Sequence, residues 1–529
     1  MAADTAVISP GSRNAPVIYA LGKSGKTCHS IIDERSAAFV ALGIAKQTRK
    51  AVILSCTSGT AALNYYPAIA EAYYARVPLI ILTADRPSGK IDAWDGQAIR
   101  QNKMYSAHVR AEFQTPEDYS DVSVFREIAA EANSIVENNI LGPIHINVPI
   151  REPFYNFSDE MIEEGRYVLS EPNSHKVQIS SIPQLLNIDL SKKKVLIFNG
   201  MDDGENIEVE SDDAAVVLSD ITSRKKSNID YWDALLFSAQ CKTEGLQYLS
   251  VLKPDIVIST GTTTVSKGIK RFLQSHKPEI HVHLSKYDEV GDMFETNPKL
   301  VNPKELNKVS DASLSLHQGY VSAWQDLTKE LRMNFEHLDW SLFNEFSAVN
   351  YILSKIPDGE ILHLSNSMPV RYASFLLNGE LSNKVYCNRG TSGIDGSTST
   401  AVGAAMVAEE SVYLITGDVA FLYDVNGMFN ENLPKNLKVI ILNNHQGGIF
   451  EMISGPEKMG KALQYQTTPH DYSARHLASH FGLEYWRGED FRSLVVGFEA
   501  LRMAKGPGIL ELSTSPEQNR DFFEKFKNL

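Results

Sequence analysis

The sequence has no CxxC pair, and its four cysteines, Cys28, Cys56, Cys241 and Cys387, stand far apart. Neither a zinc clamp nor a disulfide framework follows from such spacing. It has no apolar run approaching the length of a membrane span, and no basic segment followed by an apolar stretch at its start. The expectation is a cytoplasmic protein with no membrane partner. It also lacks basic excess: the formal net charge is −14, which argues against nucleic acid as a partner because phosphate binding needs a basic face. Repeats and low-complexity tracts are missing as well. What remains is an ordinary globular composition, 43% hydrophobic and 22% charged over 529 residues, enough for roughly three domains.

Short apolar runs rich in β-branched residues alternate with helical patterns along the chain, which predicts parallel sheets. In the first part these are the runs at 51–55, 78–83 and 144–148, with a helix over 61–76 and an alanine-rich one over 37–45. A polar, acidic stretch from Asn156 to about Ser191 reads as a linker. A second α/β unit has strands at 194–198, 214–218, 255–259 and 280–284, and leaves through an aperiodic region from Tyr287 to Leu314. A third has strands at 361–364, 385–387, 412–416, 438–442 and 508–512. The fold class expected is α/β, with three domains at 1–157, 185–315 and 340–529, each a mainly parallel doubly wound sheet flanked by helices.

Two polar pairs close two of the apolar runs, Gly417-Asp418 and Asn443-Asn444. The ends of parallel strands are where ligands bind in open α/β sheets. Asp418, Asn444 and the nearby backbone carbonyl of Gln446 are hard oxygen donors, suited to Mg²⁺ bridging to phosphate oxygens rather than to zinc. Near the start, Ser9-Pro-Gly-Ser12-Arg13-Asn14 has a Gly-Ser turn whose N–H groups can face an anion. Asp33-Glu34-Arg35-Ser36 places Glu34 at a helix start, where an acidic residue also complements the helix dipole. With an acidic chain, an anionic substrate needs arginines gathered in its pocket.

The spacing of Gly417-Asp418 and Asn443-Asn444 resembles the thiamine-diphosphate signature. Read with Ser9 to Asn14, Asp33 to Ser36, Thr83-Ala-Asp-Arg86-Pro87, Gln97-Ala-Ile-Arg-Gln101, Asn366-Ser367-Met-Pro-Val-Arg371, Asn388-Arg389-Gly-Thr-Ser-Gly393-Ile394-Asp-Gly396 and Leu422-Tyr-Asp-Val-Asn426, it is similar to the 2-succinyl-5-enolpyruvyl-6-hydroxy-3-cyclohexene-1-carboxylate synthase family. The resemblance spans nearly the whole chain, more loosely in the middle. It implies decarboxylation of 2-oxoglutarate on thiamine diphosphate, then 1,4-addition of the four-carbon acyl anion equivalent to isochorismate, in menaquinone biosynthesis. It also implies Mg²⁺ (or Mn²⁺) on Asp418, Asn444 and Gln446, and a homodimer or dimer of dimers with active sites at the subunit interface.

Carried over residue by residue, Glu34 binds the far nitrogen of the cofactor's pyrimidine, and Thr57, Ser58 and Gly393 line the cofactor. Ile394 wedges beneath it. Ser367 and Arg371 hold the distal carboxylate of the succinyl unit. Ser12, Arg13, Arg86, Gln97, Lys267 and Arg389 line the isochorismate side, and Ile449 and Phe450 form an apolar wall. Both substrates carry two carboxylates, which planar guanidinium groups bind bidentately.

Two features depart from the family pattern. Where members have two adjacent basic residues in the middle domain, Lys267 is followed by Gly268, with Lys270 and Arg271 one turn along the predicted helix. Members also have a helix before the first strand, and here only Met1 to Ala6 precede it, so a truncated or misassigned start is expected. The alternatives are another thiamine-diphosphate enzyme, a 2-oxo acid decarboxylase or acetohydroxyacid synthase, and an inactive paralogue acting as scaffold or sensor.

Overall fold

The predicted apolar runs form strands, and every strand pairing is parallel in the computed structural model, which describes residues 3–137, 142–157, 175–182, 189–205, 207–210, 213–242, 245–306, 316–377, 382–431, 433–453 and 455–529. The first unit contains β1 (Thr5–Ile8), β2 (Thr27–Ser30), β3 (Val52–Cys56), β4 (Leu79–Asp85), β5 (Ala111–Gln114) and β6 (Pro143–Pro149) in the order β2-β1-β3-β4-β6-β5. In the middle are β7 (His175–Gln178), β8 (Val195–Asn199), β9 (Ile207–Glu210), β10 (Val216–Ser219), β11 (Ile256–Thr260), β12 (Ile280–Leu284) and β13 (Lys299–Val301); β10-β8-β11-β12-β13 form one sheet and β7-β9 a small second one. The third unit has β14 (Ile361–Leu364), β15 (Lys384–Tyr386), β16 (Val412–Gly417), β17 (Leu437–Asn443), β18 (Glu484–Gly488) and β19 (Gly508–Ser513), ordered β15-β14-β16-β17-β19-β18. Central strands such as β3, β4 and β17 are buried along their whole length, as helices on both faces of a parallel sheet require.

Strand order reverses between β1 and β3 in the first sheet, and between β14 and β16 in the third. Ligand crevices open outside the carboxyl ends of strands at such points. The segments from Ser9, Thr57, Ser365 and Asp418 follow those four strands.

Three expectations need correction. The helix foreseen over 61–76 is two, Thr60–Asn64 and Tyr66–Tyr74, because Pro67 lacks the N–H that would continue the first ladder. The stretch read as a linker contributes β7, whose Val177 is buried; much of that stretch, 158–174 and 183–188, lies outside the described residues, as do the expected boundaries at 185 and 315. The region read as an aperiodic exit contains β13 and a short helix, Pro303–Leu306. No helix among the described residues is long and apolar enough to cross a membrane.

Helix Glu34–Thr48 joins the first unit to the third. Residues 36–45 of it are all buried, packed against helix Ser397–Ala405. A side chain on Gly43 would overlap the carbonyl oxygen of Thr400, and one on Gly403 that of Val40. Alanine in a free helix position gains about 1 kcal/mol over glycine, so the sign of the substitution reports the contact. Gly43→Ala should destabilise the protein by about 1–3 kcal/mol through overpacking. Gly22→Ala, in helix Ala15–Lys23 with nothing within 4 Å of the added carbon, should not lower stability. Denaturation midpoints of the two variants decide it; equal shifts would show that the helices are not in close contact.

Candidate active site

Asp418 opens helix Asp418–Tyr423 directly after β16. Its Oδ1 accepts from the Val419 N–H at 2.7 Å, while Oδ2 is buried without a hydrogen-bond partner. His470 Nε2 lies 3.3 Å from that oxygen and is itself unpartnered. Burial pushes Asp418 up to about 7. The two asparagines that end β17 differ in use. Asn443 turns into the sheet, its Nδ2 donating to Glu511 Oε1 at 2.6 Å and to the Tyr472 carbonyl at 3.0 Å. Asn444 faces the crevice: its Oδ1 accepts from the Gln446 N–H at 3.1 Å and its Nδ2 donates to Glu345 Oε1 at 2.7 Å. Glu345 is fully buried and pushed up to about 7, first by burial and then by the charge of Asp418. The Gln446 carbonyl accepts from the Gly448 N–H at 2.9 Å and keeps a second lone pair. An unpartnered buried carboxylate oxygen beside an amide and a carbonyl is a donor set for a hard cation.

The same sheet edge carries a concentration of positive charge. Ser365 ties the end of β14 to that of β16, its Oγ accepting from the Gly417 N–H at 3.3 Å. Arg371, one helical turn on, donates to the Ser367 carbonyl. Arg389, after β15, donates through NH1 to Asn366 Oδ1 at 2.9 Å and through NH2 to the Thr264 carbonyl of the middle unit at 3.3 Å; its Nε is buried without a partner. Lys267 and Lys270 arrive on helix Lys267–Ser275, capped by Ser266. Burial, then Arg389, pulls Arg371 down to about 10. Lys267 is lowered by burial and then by Arg371, Arg271 and Arg389, and Lys270 by burial and then Arg389. Among the described residues, none of these four cations is in an ion pair. Clustered, partly desolvated cations that repel one another attract an anion strongly. A side chain at position 268 would come within 2.9 Å of Leu236 Cβ, and the next basic residue, Lys270, is on the same face of the helix as Lys267.

In the first unit, Arg13 is buried, donates to the Ile150 carbonyl, pairs with Glu152 at 3.1 Å and stacks on Phe154 with 4.6 Å to the ring centre. Arg86 chelates the Gly96 carbonyl at 3.0 and 2.6 Å and lies 3.9 Å from the same oxygen of Glu152. Thr57 is buried against Gly11, Ser58 is buried with its Oγ unpartnered, and Ser12 is exposed. Gln97 has a left-handed backbone (φ 55) and passes 3.2 Å from where a Gly59 side chain would begin. Glu34 is the first residue of its helix, behind the Asp33 cap whose side chain accepts from the Ser36 N–H. Its neighbours reach the third unit: Asn426 donates to Asp33 Oδ2 at 2.7 Å and Arg35 to the Tyr423 carbonyl at 2.7 Å.

Within one chain, then, the expected residues fall into separate groups. Asp418, Asn444 and Gln446 are together, as are Ser367, Arg371, Arg389 and Lys267, and as are Arg13 and Arg86. Gly393 and Ile394 belong with Arg389 through Asn366, whose Nδ2 donates to the Gly393 and Asn388 carbonyls at 2.6 Å. Ile449 and Phe450, half-buried, begin the helix Ile449–Met452 after the Asn444 loop. No hydrogen bond or ion pair among the described residues joins Glu34 to Asp418 or Asn444, or Arg13 and Arg86 to Arg371 and Arg389. Sequence reasoning missed Glu345 and His470, which no local motif marks, and gave no role to Asn366, although it sits inside a quoted motif.

Residues 1–109 match the family model for the thiamine pyrophosphate enzyme N-terminal TPP binding domain. Curated relatives named 2-succinyl-5-enolpyruvyl-6-hydroxy-3-cyclohexene-1-carboxylate synthase align over almost the whole chain. One from Flavobacterium johnsoniae is 37% identical over 97% of this chain and 94% of its own length, and one from Cytophaga hutchinsonii is 38% identical over 98% and 95%. A third, from Desulfotalea psychrophila, is 33% identical over 96% and 95%. With likeness of this extent, the chain belongs to the 2-succinyl-5-enolpyruvyl-6-hydroxy-3-cyclohexene-1-carboxylate synthase family of thiamine pyrophosphate enzymes.

Proposed function

We propose that this chain decarboxylates 2-oxoglutarate and adds the succinyl unit to isochorismate in a 1,4-addition, the step of menaquinone biosynthesis that gives the family its name. The observation that carries the reading is the set of cations Arg371, Arg389, Lys267 and Lys270, in no ion pair among the described residues, at the same strand ends as Asp418. Substrates with two carboxylates each supply the charge this edge lacks. Thiamine diphosphate, when bound, supplies the electron sink for decarboxylation.

The residues do the rest. Asp418 Oδ2, Asn444 Oδ1 and the Gln446 carbonyl would hold Mg²⁺ or Mn²⁺, a donor set of hard oxygens with one carboxylate. Thr57, Ser58 and Gly393 line the cofactor, and Ile394 supports it. Ser367 and Arg371 hold the distal carboxylate of 2-oxoglutarate; Ser12, Arg13, Arg86, Gln97, Lys267 and Arg389 receive isochorismate; Ile449 and Phe450 keep water from the reacting face. Glu34 would hold the pyrimidine through a hydrogen bond to its carboxylate. The reading includes a homodimer, or dimer of such dimers, in which a second copy completes each site. It also includes a cytoplasmic location and the domain limits 1–157 and 340–529, with a middle domain that starts before β7 rather than at 185.

Mixing protein, cofactor, Mg²⁺, 2-oxoglutarate and isochorismate should remove the isochorismate absorbance. Turnover of pyruvate alone, with isochorismate untouched, would favour the decarboxylase or acetohydroxyacid synthase alternative instead. For the metal end, Asp418→Ala should weaken cofactor binding in the presence of Mg²⁺ by at least the roughly 10–100-fold seen for losses around metal shells. Calorimetric titration measures this, and unchanged affinity would place the cation elsewhere.

A further inference from the structure

The loop that carries Arg389 is held from below by a buried ion pair that belongs to the other end of the chain. Glu71, on helix Tyr66–Tyr74 of the first unit, is buried. Its carboxylate accepts from the Gly390 N–H at 2.9 Å, from the Thr391 N–H at 2.6 Å and from the Thr391 hydroxyl at 3.0 Å. Lys46, on helix Glu34–Thr48, lies 3.6 Å from Glu71 Oε1 and donates to the Cys387 carbonyl and to Asn388 Oδ1, both at 3.1 Å. Asn388 is held in turn, donating to Thr400 Oγ1 at 2.9 Å. Residues 387, 388, 390 and 391 are therefore each bonded to the pair, and the residue between them is Arg389.

Taking a carboxylate and an ammonium out of water is costly, and such a pair returns little net stability. What it does return here is geometry. A backbone N–H donor pair bonded to an ionised carboxylate is short and directional, and the turn it fixes leaves the guanidinium with one buried Nε–H unpartnered. The turn passes close to the first unit: a side chain at Gly390 would come within 2.5 Å of the Glu71 backbone carbonyl oxygen.

We propose that Glu71, charge-compensated by Lys46, is a positioning residue for Arg389: it fixes the 388–391 turn so that the guanidinium stays aimed at the second substrate. The proposal rests on the assignment of Arg389 to isochorismate. A group that acts through Arg389 should affect binding of isochorismate and leave the decarboxylating half-reaction alone. That half-reaction can be followed without isochorismate by reduction of an artificial electron acceptor in the presence of 2-oxoglutarate.

Glu71→Gln keeps the shape but offers one acceptor oxygen and turns an N–H₂ group toward a backbone donor. With holoenzyme, its KM for isochorismate should rise at least tenfold, with acceptor reduction within twofold of wild type. Thr391→Val, which removes only the exposed hydroxyl's bond, should show the same split at about threefold and serves if Glu71→Gln does not fold. Arg389→Ala is measured beside them. Should Arg389→Ala leave KM for isochorismate unchanged, the assignment of Arg389 fails. If Arg389→Ala raises KM while the folded Glu71 and Thr391 variants keep wild-type KM, or lose both reactions in equal proportion, the positioning role is overturned.

Discussion

Glutamine at position 34 should slow the full reaction by about 10²–10⁴-fold, the range for losing a positioned proton-transfer group, with cofactor affinity nearly unchanged. The substitution is isosteric, and Glu34 is only half-buried at the first position of its helix. Losing a first-turn charge costs the helix about 0.3–1 kcal/mol, too little to unfold a helix with residues 36–45 all buried. On the proposed assignment the Glu34 carboxylate would bond to the pyrimidine of bound thiamine diphosphate, and the loss of that bond is what the variant reads. Exchange of the thiazolium proton into deuterated water reports it directly. Wild-type exchange in Glu34→Gln would remove Glu34 from the mechanism.

Arg371→Ala and Arg86→Ala should separate the two substrates. A carboxylate that loses a charge-assisted partner in a partly desolvated site forfeits about 2–5 kcal/mol, roughly 30- to 4,000-fold in the affected constant. Arg371 stands at the third sheet's edge among cations that burial and Arg389 already strain, so its removal should impair use of 2-oxoglutarate in both the acceptor assay and the full reaction. Arg86 lies in another group, chelating Gly96 beside Arg13 and Glu152. Its removal should spare the acceptor assay and abolish most of the full reaction. The reverse pattern would exchange the two roles.

Where the sequence was readable, burial made it so. Strands β16 and β17 are covered on both faces and spelled as unbroken apolar runs, so their ends, and with them Asp418 and Asn444, could be placed to within a residue. Strands β2, β5 and β18 were not foreseen: they lie at sheet edges, are half exposed, and contain residues such as Thr27, His29, Glu112 and Arg487 that carry no hydrophobic period. Strand β7 escaped because its partner is remote and its surroundings are acidic. Arg371 and Arg389 were legible because each lies inside a short motif next to a strand end. Glu345 was not, since its place beside Asn444 arises when a helix some way upstream packs onto β17's end, and no short window of sequence contains both. Lys270 could be suspected from helical spacing, and the proximity of Leu236 to position 268 accounts for the glycine that stands beside Lys267.

The contact of Gly43 and Gly403 with backbone on the facing helix also bears on how the protein is made. Helix Glu34–Thr48 leaves the ribosome early, and the helix that covers it follows roughly 350 residues later, which at ordinary elongation rates means a wait of about 20–70 s. Throughout that interval an alanine-rich, apolar surface evolved for close contact has no cover of its own. The nascent first unit is therefore a natural client for chaperones that shield exposed apolar chain. Fragments ending before Ser397 should aggregate when synthesised alone, whatever the strength of the sheet they contain.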